Sequence, residues 1–320
     1  MSAAKKPVVV AHNLRGAHPK VLELLEAAEG IRLVEVADAP NAIPADAEVL
    51  FTRSTPHVKA LKGTPKPADW PPPGLRWTQV LSAGVDSYPD WMLDAPPLRN
   101  AKGSTAPAIA EYVITAMLAV CKNWNNIAAT SPSNWKFRTL TNLADATVGV
   151  AGMGPIGEYT ARLVAALGAR VLGWRRTPTP MEGIELVGSF EELIGQSDHL
   201  VLALPATAAT RSLIDARTLA LAKPGLHLIN VARGALVDEQ ALLAALDAGQ
   251  IGFATLDVAR EEPPAEGHPF YSHPRVKLTP HSSWVGGDAE RRVVARFLDN
   301  LRREAVGEPM DEPVDRIRGY

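Results

Sequence analysis

The chain has 320 residues, enough for about two domains that each bury a core. It is 46% hydrophobic and 21% charged with a net charge of −2, the composition of a soluble globular protein without the basic excess that nucleic acid or an acidic membrane would call for. The single cysteine, Cys121, excludes an internal disulfide framework and fits a reducing compartment. No apolar run approaches the ~18 residues that span a bilayer, and the opening MSAAKKPVVVAHN is too short in apolar residues for a secretion signal, so a cytoplasmic location is expected.

In chain order, short apolar runs at Val8–Ala11, Arg32–Val36, Val49–Arg53 and Trp77–Ser82 predict strands. Pro19–Ala28 reads as a helix with Val21, Leu24 and Leu25 on one face. The proline-rich Thr64–Gly74 reads as a rigid surface loop. Ala106–Asn123 is a long helix candidate. Its apolar positions Ile109, Val113, Met117 and Val120 recur at helical spacing, and Ala110, Ile114 and Leu118 widen the face. So broad a face suits burial between domains or at a subunit interface. Asn123–Asn142 is polar, with Trp124, Trp135 and Phe137 either exposed or docked.

A second strand–helix series starts at Thr147. Its predicted strands are Thr147–Ala151, Arg170–Trp174, His199–Leu204, Leu226–Ala232, Gly252–Val258 and Val276–Thr279. Ser189-Phe190-Glu191-Glu192 has the form of a capping box, and Asp238 can cap Glu239–Ala248. Gly168 and Gly249 stand where helices should stop, and Asp288 can start a last helix through about Arg303. Alternating strands and helices imply parallel sheets covered on both faces, an α/β fold.

A bare GxGxxG is a weak signal, but Gly152-Met153-Gly154-Pro155-Ile156-Gly157 carries its context. It follows the strand TVGVA and opens an amphipathic helix that ends at Gly168, before the strand RVLGW. That is a complete dinucleotide-binding unit. Gly152 permits the tight turn, Gly154 the approach of backbone to pyrophosphate, and Gly157 close helix–strand packing. The helix N-terminus offers free N–H groups and a positive dipole end, and Pro155 suits the first turn. An NAD site would carry an acid about 20 residues on. That place reads Trp174-Arg175-Arg176-Thr177, with no carboxylate. Two guanidiniums and a hydroxyl suit a 2′-phosphate, so NADP(H) is the expected cofactor.

Three polar residues follow successive apolar runs: Arg233, Glu262 and His281. A guanidinium, a carboxylate and an imidazole at strand ends can bind an anionic carbonyl compound and pass it a proton. Arg233 can hold the substrate carboxylate and polarise the ketone. His281 can protonate the carbonyl oxygen, an imidazole titrating near neutral pH. Glu262 can fix the His281 tautomer and favour imidazolium. His57, His199, His227, His268 and His273 lack that context and read as structural or solvated. No group has metal-ligand spacing, so no metal is expected.

The stretches VGVAGMGPIG, LALPATAATRSLID, LINVARGALVDEQALLAAL, ATLDVAREEPPAEGHPF and VKLTPHSSW, in this order across Leu143–Gly287, resemble the D-2-hydroxyacid dehydrogenase family. LSAGVDSYPD and AIAEYVITAML extend the likeness more weakly toward the N-terminus. Two departures stand out. Ala259-Arg260-Glu261 replaces an aromatic and acidic run, and Arg175 replaces the usual acid, as in the NADP-using reductases of the family.

The resemblance implies two Rossmann-like or flavodoxin-like domains with parallel sheets and an active-site cleft between them. Residues 1–103 plus 288–320 would bind substrate, and residues 104–287 would form the inserted dinucleotide domain. It further implies Leu204, Pro205, Thr210, Val231 and Ala232 as cofactor contacts. Asp257 would accept a hydrogen bond from the nicotinamide carboxamide. Backbone N–H groups of Ala83, Gly84 and Val85 would hold the substrate carboxylate. Trp284 would line the pocket or pack at a subunit interface. A homodimer is implied, with the Ala106–Asn123 helix and the following arm at its interface. The implied activity is NADPH-dependent reduction of a small 2-oxo acid, glyoxylate or hydroxypyruvate by analogy. Phosphite oxidation, another D-2-hydroxyacid dehydrogenase, or a nucleotide-sensing corepressor or scaffold on the same fold are the alternatives. Glu262 disfavours a formate enzyme, where Gln would be expected.

Overall fold

The computed structural model describes residues 6–37, 39–177, 179–286 and 288–315. Met1–Lys5 of the opening segment and Gly287, the expected domain edge, lie outside them. The chain divides into two compact units, residues 1–105 with 287–320, and residues 106–286. Among the described residues no helix is long and apolar enough to cross a membrane.

The first unit holds β1 (Val8–His12), α1 (Pro19–Glu26), β2 (Ile31–Glu35), β3 (Val49–Thr52), α2 (Pro56–Ala60), β4 (Trp77–Val80), α3 (Asp90–Asp94) and β5 (Leu98–Arg99). All strands are parallel, in the order β2-β1-β3-β4-β5, the flavodoxin-like order. Every residue of β3 and β4 is buried, which is why both read as unbroken apolar runs rather than as alternation. The sequence placed these strands to within two residues. It missed β5, α2 and α3, whose two to five residues are too short to show a period.

The second unit runs from α4 (Ala106–Cys121) through β6 (Thr147–Ala151), α5 (Pro155–Ala166), β7 (Arg170–Trp174), β8 (Glu185–Leu186), α6 (Phe190–Gln196), β9 (His199–Leu202), α7 (Ala216–Leu219), β10 (Leu226–Asn230), α8 (Glu239–Asp247), β11 (Ile251–Leu256) and β12 (Val276–Leu278). The last helix, α9 (Ala289–Val306), belongs to the first unit and packs Val293, Val294 and Phe297 onto its sheet.

The strand order of the second unit is β12-β11-β10-β9-β6-β7-β8, all parallel. This is the doubly wound order with one further strand, and it reverses between β6 and β9. Helices cover both faces. Leu193, Leu219, Leu242 and Leu246 fill one side, and Val113, Met117, Ala161 and Val164 the other. α4 is buried along Ile109, Val113 and Met117 and packs on α5 within this unit. The expected capping box at Ser189 is half formed. Ser189 caps the Glu192 N–H, but the Glu192 carboxylate turns to the N–H of Gly188 instead of Ser189. Trp124, Trp135 and Phe137 are exposed.

Candidate active site

The turn after β6 has the shape of a phosphate cradle. Gly152 adopts φ +95°, and a side chain there would come within 2.5 Å of the Ala203 carbonyl oxygen. A Cβ on Gly157 would overlap the carbonyl oxygen of Gly152. At Gly154 nothing lies within 4 Å, so the backbone is open to a ligand at that point alone. Pro155 begins α5, and no side chain caps that helix. Its first-turn N–H groups and dipole face the open side. Met153 turns inward and is buried, while Ile156 packs into the same apolar cluster, so these two shape the cradle from beneath. The residues present fit a dinucleotide.

The ribose end differs from the expectation in one respect. Arg175 follows β7, and Arg176 and Thr177 beyond it are exposed. The chain segment offers no acid there, but α5 supplies one: Glu158 lies 3.5 Å from Arg175 Nη1. Sequence distance hid the pairing, since Glu158 looks like an ordinary first-turn helix acid. Leu204 and Pro205 follow β9, with Leu204 buried. The Thr210 hydroxyl pins their turn by donating to the Pro205 carbonyl at 2.7 Å. Val231 and Ala232 are buried beyond β10. All these residues lie past the carboxyl ends of neighbouring parallel strands, the edge at which such sheets bind ligands.

Arg233 stands at the same edge. Asn230, fully buried, braces its turn by accepting from the Ala232 N–H at 3.1 Å and donating to the Arg233 carbonyl at 2.9 Å. Gly234 follows because the backbone of Ala259 and Arg260 occupies the space a side chain would need. That approach brings the Glu262 loop against the Arg233 turn. The loop is tied further by Glu239, which accepts from the Arg260 N–H at 2.9 Å.

His281 Nδ1 lies 2.8 Å from Glu262 Oε2, both side chains about 40% exposed. Burial opposes ionisation of Glu262. The hydrogen bond from His281, its charge, the Ala259 N–H and the Arg233 guanidinium outweigh it and hold the carboxyl below its usual range. A carboxylate accepts only, so Nδ1 donates and Nε2 is left as the nitrogen that can carry a proton to a ligand. No hydrogen bond reaches Nε2 among the described residues.

His281 adopts φ +51°, a left-handed conformation an imidazole-bearing residue holds only when its surroundings impose it. The restraint is Asp257, which is 1% exposed. Its carboxylate accepts from the Thr279 hydroxyl at 2.6 Å and from the N–H groups of Ser282 and Ser283 at 2.9 Å each, and its carbonyl accepts from the His281 N–H at 2.9 Å. Thr279 spends its single proton on Asp257. Tyr112 of α4, 2.7 Å away, is therefore the donor to Thr279. Burial and the Asp257 charge push the Tyr112 phenol above its usual range, which keeps it a donor. The Trp284 indole donates to the His281 carbonyl at 2.9 Å and packs into the cluster under α4 and α5. Sequence reasoning missed Tyr112, Thr279 and Asn230, because each acts through partners distant in the chain. Ala83, Gly84 and Val85 follow β4 at the carboxyl edge of the first unit's sheet, where the Ser82 hydroxyl closes a tight turn on the Gly84 carbonyl at 2.7 Å. No cluster of three or more metal-ligating side chains occurs among the described residues.

A nucleotide cradle and an imidazole with one nitrogen open, at one edge of one sheet, are what hydride chemistry on a carbonyl can use, and they fit a dinucleotide-linked oxidoreductase. Comparison with known proteins narrows this. Residues 114–283 match the family model of the D-isomer specific 2-hydroxyacid dehydrogenase NAD-binding domain. The chain is 32% identical over 296 residues to glyoxylate/hydroxypyruvate reductase A of Salmonella paratyphi C, covering 84% of this chain and 94% of that protein. It is 33% identical over 283 residues to the Citrobacter koseri protein of the same name, covering 81% and 89%. Among solved structures, a D-isomer specific 2-hydroxyacid dehydrogenase of Xanthobacter autotrophicus in complex with NADPH aligns with a TM-score of 0.83 at 28% identity, covering 98% of this chain and 100% of that one. An NADPH-dependent glyoxylate/hydroxypyruvate reductase of Sinorhizobium meliloti, bound to NADP and sulfate, aligns at 0.82 with 26% identity, covering 98% and 100%. The chain belongs to the D-2-hydroxyacid dehydrogenase family and is an NADP-linked oxidoreductase of that family.

Proposed function

We propose that the protein reduces a small 2-oxo acid of the glyoxylate or hydroxypyruvate type to the D-2-hydroxy acid, with NADPH preferred over NADH. The 2.8 Å pair of His281 and Glu262 beside Arg233 carries this reading. Bound in the cradle, the cofactor supplies the hydride. Arg233 holds the substrate carboxylate and polarises the ketone with a permanent charge in a planar fork. Ala83, Gly84 and Val85, at the carboxyl edge of the first unit's sheet, offer backbone N–H groups of the kind that suit a substrate carboxylate. His281 delivers the proton from Nε2 to the carbonyl oxygen, and Glu262 stabilises the imidazolium that must precede it. Asp257 holds the His281 turn, and its Oδ2, with one donor, keeps an acceptor direction for the nicotinamide amide.

Arg175, Arg176 and Thr177 take the 2′-phosphate, and the NADP-bound relatives support this choice. Residues 106–286 are the dinucleotide domain and the remainder the substrate domain. A homodimer accounts for the exposed Trp124, Trp135 and Phe137 that follow α4. The free, buried Cys121 fits a reducing cytoplasm. NADPH oxidation measured against a panel of 2-oxo acids tests the activity, with turnover expected on glyoxylate and hydroxypyruvate. Absence of turnover on every 2-oxo acid would refute it. Light scattering in solution tests the dimer.

A further inference from the structure

Arg175 is not a free cation awaiting a phosphate. Its Nη1 lies 3.5 Å from Glu158 Oε1, and the other carboxylate oxygen of Glu158 lies 4.0 Å from Arg162 Nη2, one turn along α5. Glu158 sits one turn past Gly154 on the helix whose N-terminus faces the pyrophosphate. The Gly152 N–H bonds the Trp174 carbonyl at 2.9 Å, so the end of β7 and the cradle form one piece of backbone. In this fold the residue that ends the second strand meets the ribose of a dinucleotide, and through its contact with Arg175 the Glu158 carboxylate lies beside that position. Their side chains are 33% and 27% exposed, so each can turn toward a ligand.

A carboxylate only accepts hydrogen bonds. It can take the proton of a ribose 2′-hydroxyl, and it repels a 2′-phosphate while claiming part of the Arg175 charge. We propose that Glu158 is a second specificity-determining residue of the ribose pocket: it competes with the 2′-phosphate for Arg175 and accepts the 2′-hydroxyl of NADH, making the pocket dual in its use of cofactor. This rests on the cofactor-site reading above. The acid that the end of β7 lacks is supplied from α5, and the ion pair opens in either of two directions. With NADPH, Arg175 leaves Glu158 for the phosphate. With NADH, Glu158 holds the hydroxyl and Arg175 together.

Calorimetric titration of the full chain with NADPH and with NADH, for the wild type and for Glu158→Gln, tests this. Gln keeps the length of the side chain and removes the charge. The wild type is expected to bind both dinucleotides. In Glu158→Gln, NADPH should bind about five-fold tighter, the scale of one partly exposed charge interaction. NADH should bind no tighter than before, and the NADPH gain should shrink as salt rises. An unchanged or smaller NADPH-to-NADH affinity ratio in the variant would overturn the proposal and make Glu158 a strut for Arg175. If the wild type binds NADPH but not NADH, this proposal alone fails. If it binds neither, the cofactor-site reading fails with it. Unchanged melting temperature in the variant confirms that folding does not enter.

Discussion

The sheet of the second unit carries a histidine arrangement at each end of its strands. At the amino ends, His199 of β9 and His227 of β10 are register partners, with their Nδ1 atoms 3.0 Å apart. His227 Nε2 meets the Thr255 hydroxyl at 2.9 Å and His199 Nε2 meets Cys121 Sγ at 3.5 Å. Every ring nitrogen is engaged and both rings are buried. Burial lowers the pKa of His199 to about 4 and that of His227 well below its usual value. Beyond the carboxyl ends, His281 is 41% exposed at its side chain, has one nitrogen fixed by Glu262 and leaves the other open. The pair whose pKa values burial lowers lies away from the ligand-binding edge. Perturbation marks burial as readily as it marks chemistry. What separates the two is an imidazole nitrogen that no hydrogen bond reaches among the described residues, beyond the strand ends where such sheets bind ligands.

The comparison breaks most visibly at His281. His281→Ala should lower kcat on the order of 10³-fold, the range of a lost general acid, while NADPH affinity stays within about two-fold. Single-turnover kinetics and direct titration check the two halves, and near-normal turnover would remove His281 from the mechanism. Glu262→Gln comes next, at about 10²-fold in kcat/KM. Steady-state kinetics of the variant check this, and near-normal kcat/KM would remove Glu262 from the mechanism.

At the buried end the expected effect is on stability. His227→Leu leaves His199 Nδ1 and Thr255 without a partner, at a cost of about 2 kcal/mol and ~5 °C in melting temperature, with kcat unchanged. The sign with pH follows from the lowered values. Between about 4 and 6.5 the unfolded His199 binds a proton that the folded one refuses. Stability is therefore complete above pH 6.5 and drains away as pH falls toward about 4. Melting curves of the wild type across that window should decline, and those of His227→Leu should decline less steeply. Parallel curves would show that this pair does not govern acid stability.

Much of this was legible in the sequence, for a physical reason. Parallel strands buried on both faces leave unbroken apolar runs, so β6 and β7 were located to the residue. β9 was expected to reach Leu204 but ends at Leu202, the Ala203 N–H making a last bond to the Ala151 carbonyl of β6 before the chain turns off ahead of Pro205. Gly152 and Gly157 announce themselves because no side chain fits at either, and Gly154 because it leaves the backbone open to a ligand. Arg233, Glu262 and His281 were visible as polar residues just past apolar runs. Pairings set by strand order were not visible. His199 meets His227 only because β9 and β10 are neighbours, and Glu158 meets Arg175 only because α5 folds back along β7. The donors behind His281, Tyr112 and Thr279, come from a helix face and a strand end that periodicity reads as packing.

Tyr112 tests where the boundary between the two regions runs. It belongs by position to the apolar cluster under α4, yet its phenol ends the chain through Thr279 and Asp257 to the His281 turn. Tyr112→Phe keeps the ring and removes one donor, a loss of about 1 kcal/mol. Thr279 still bonds Asp257, so the turn should loosen rather than collapse. If the network serves His281, kcat should fall about three-fold with the KM of the 2-oxo acid unmoved, because Arg233 and Glu262 are intact. If it serves packing, as the buried histidines do, the loss should appear in the melting temperature and kcat should not change. The two measurements on one variant thus assign the phenol to one side, and the strained φ of His281 favours the first outcome.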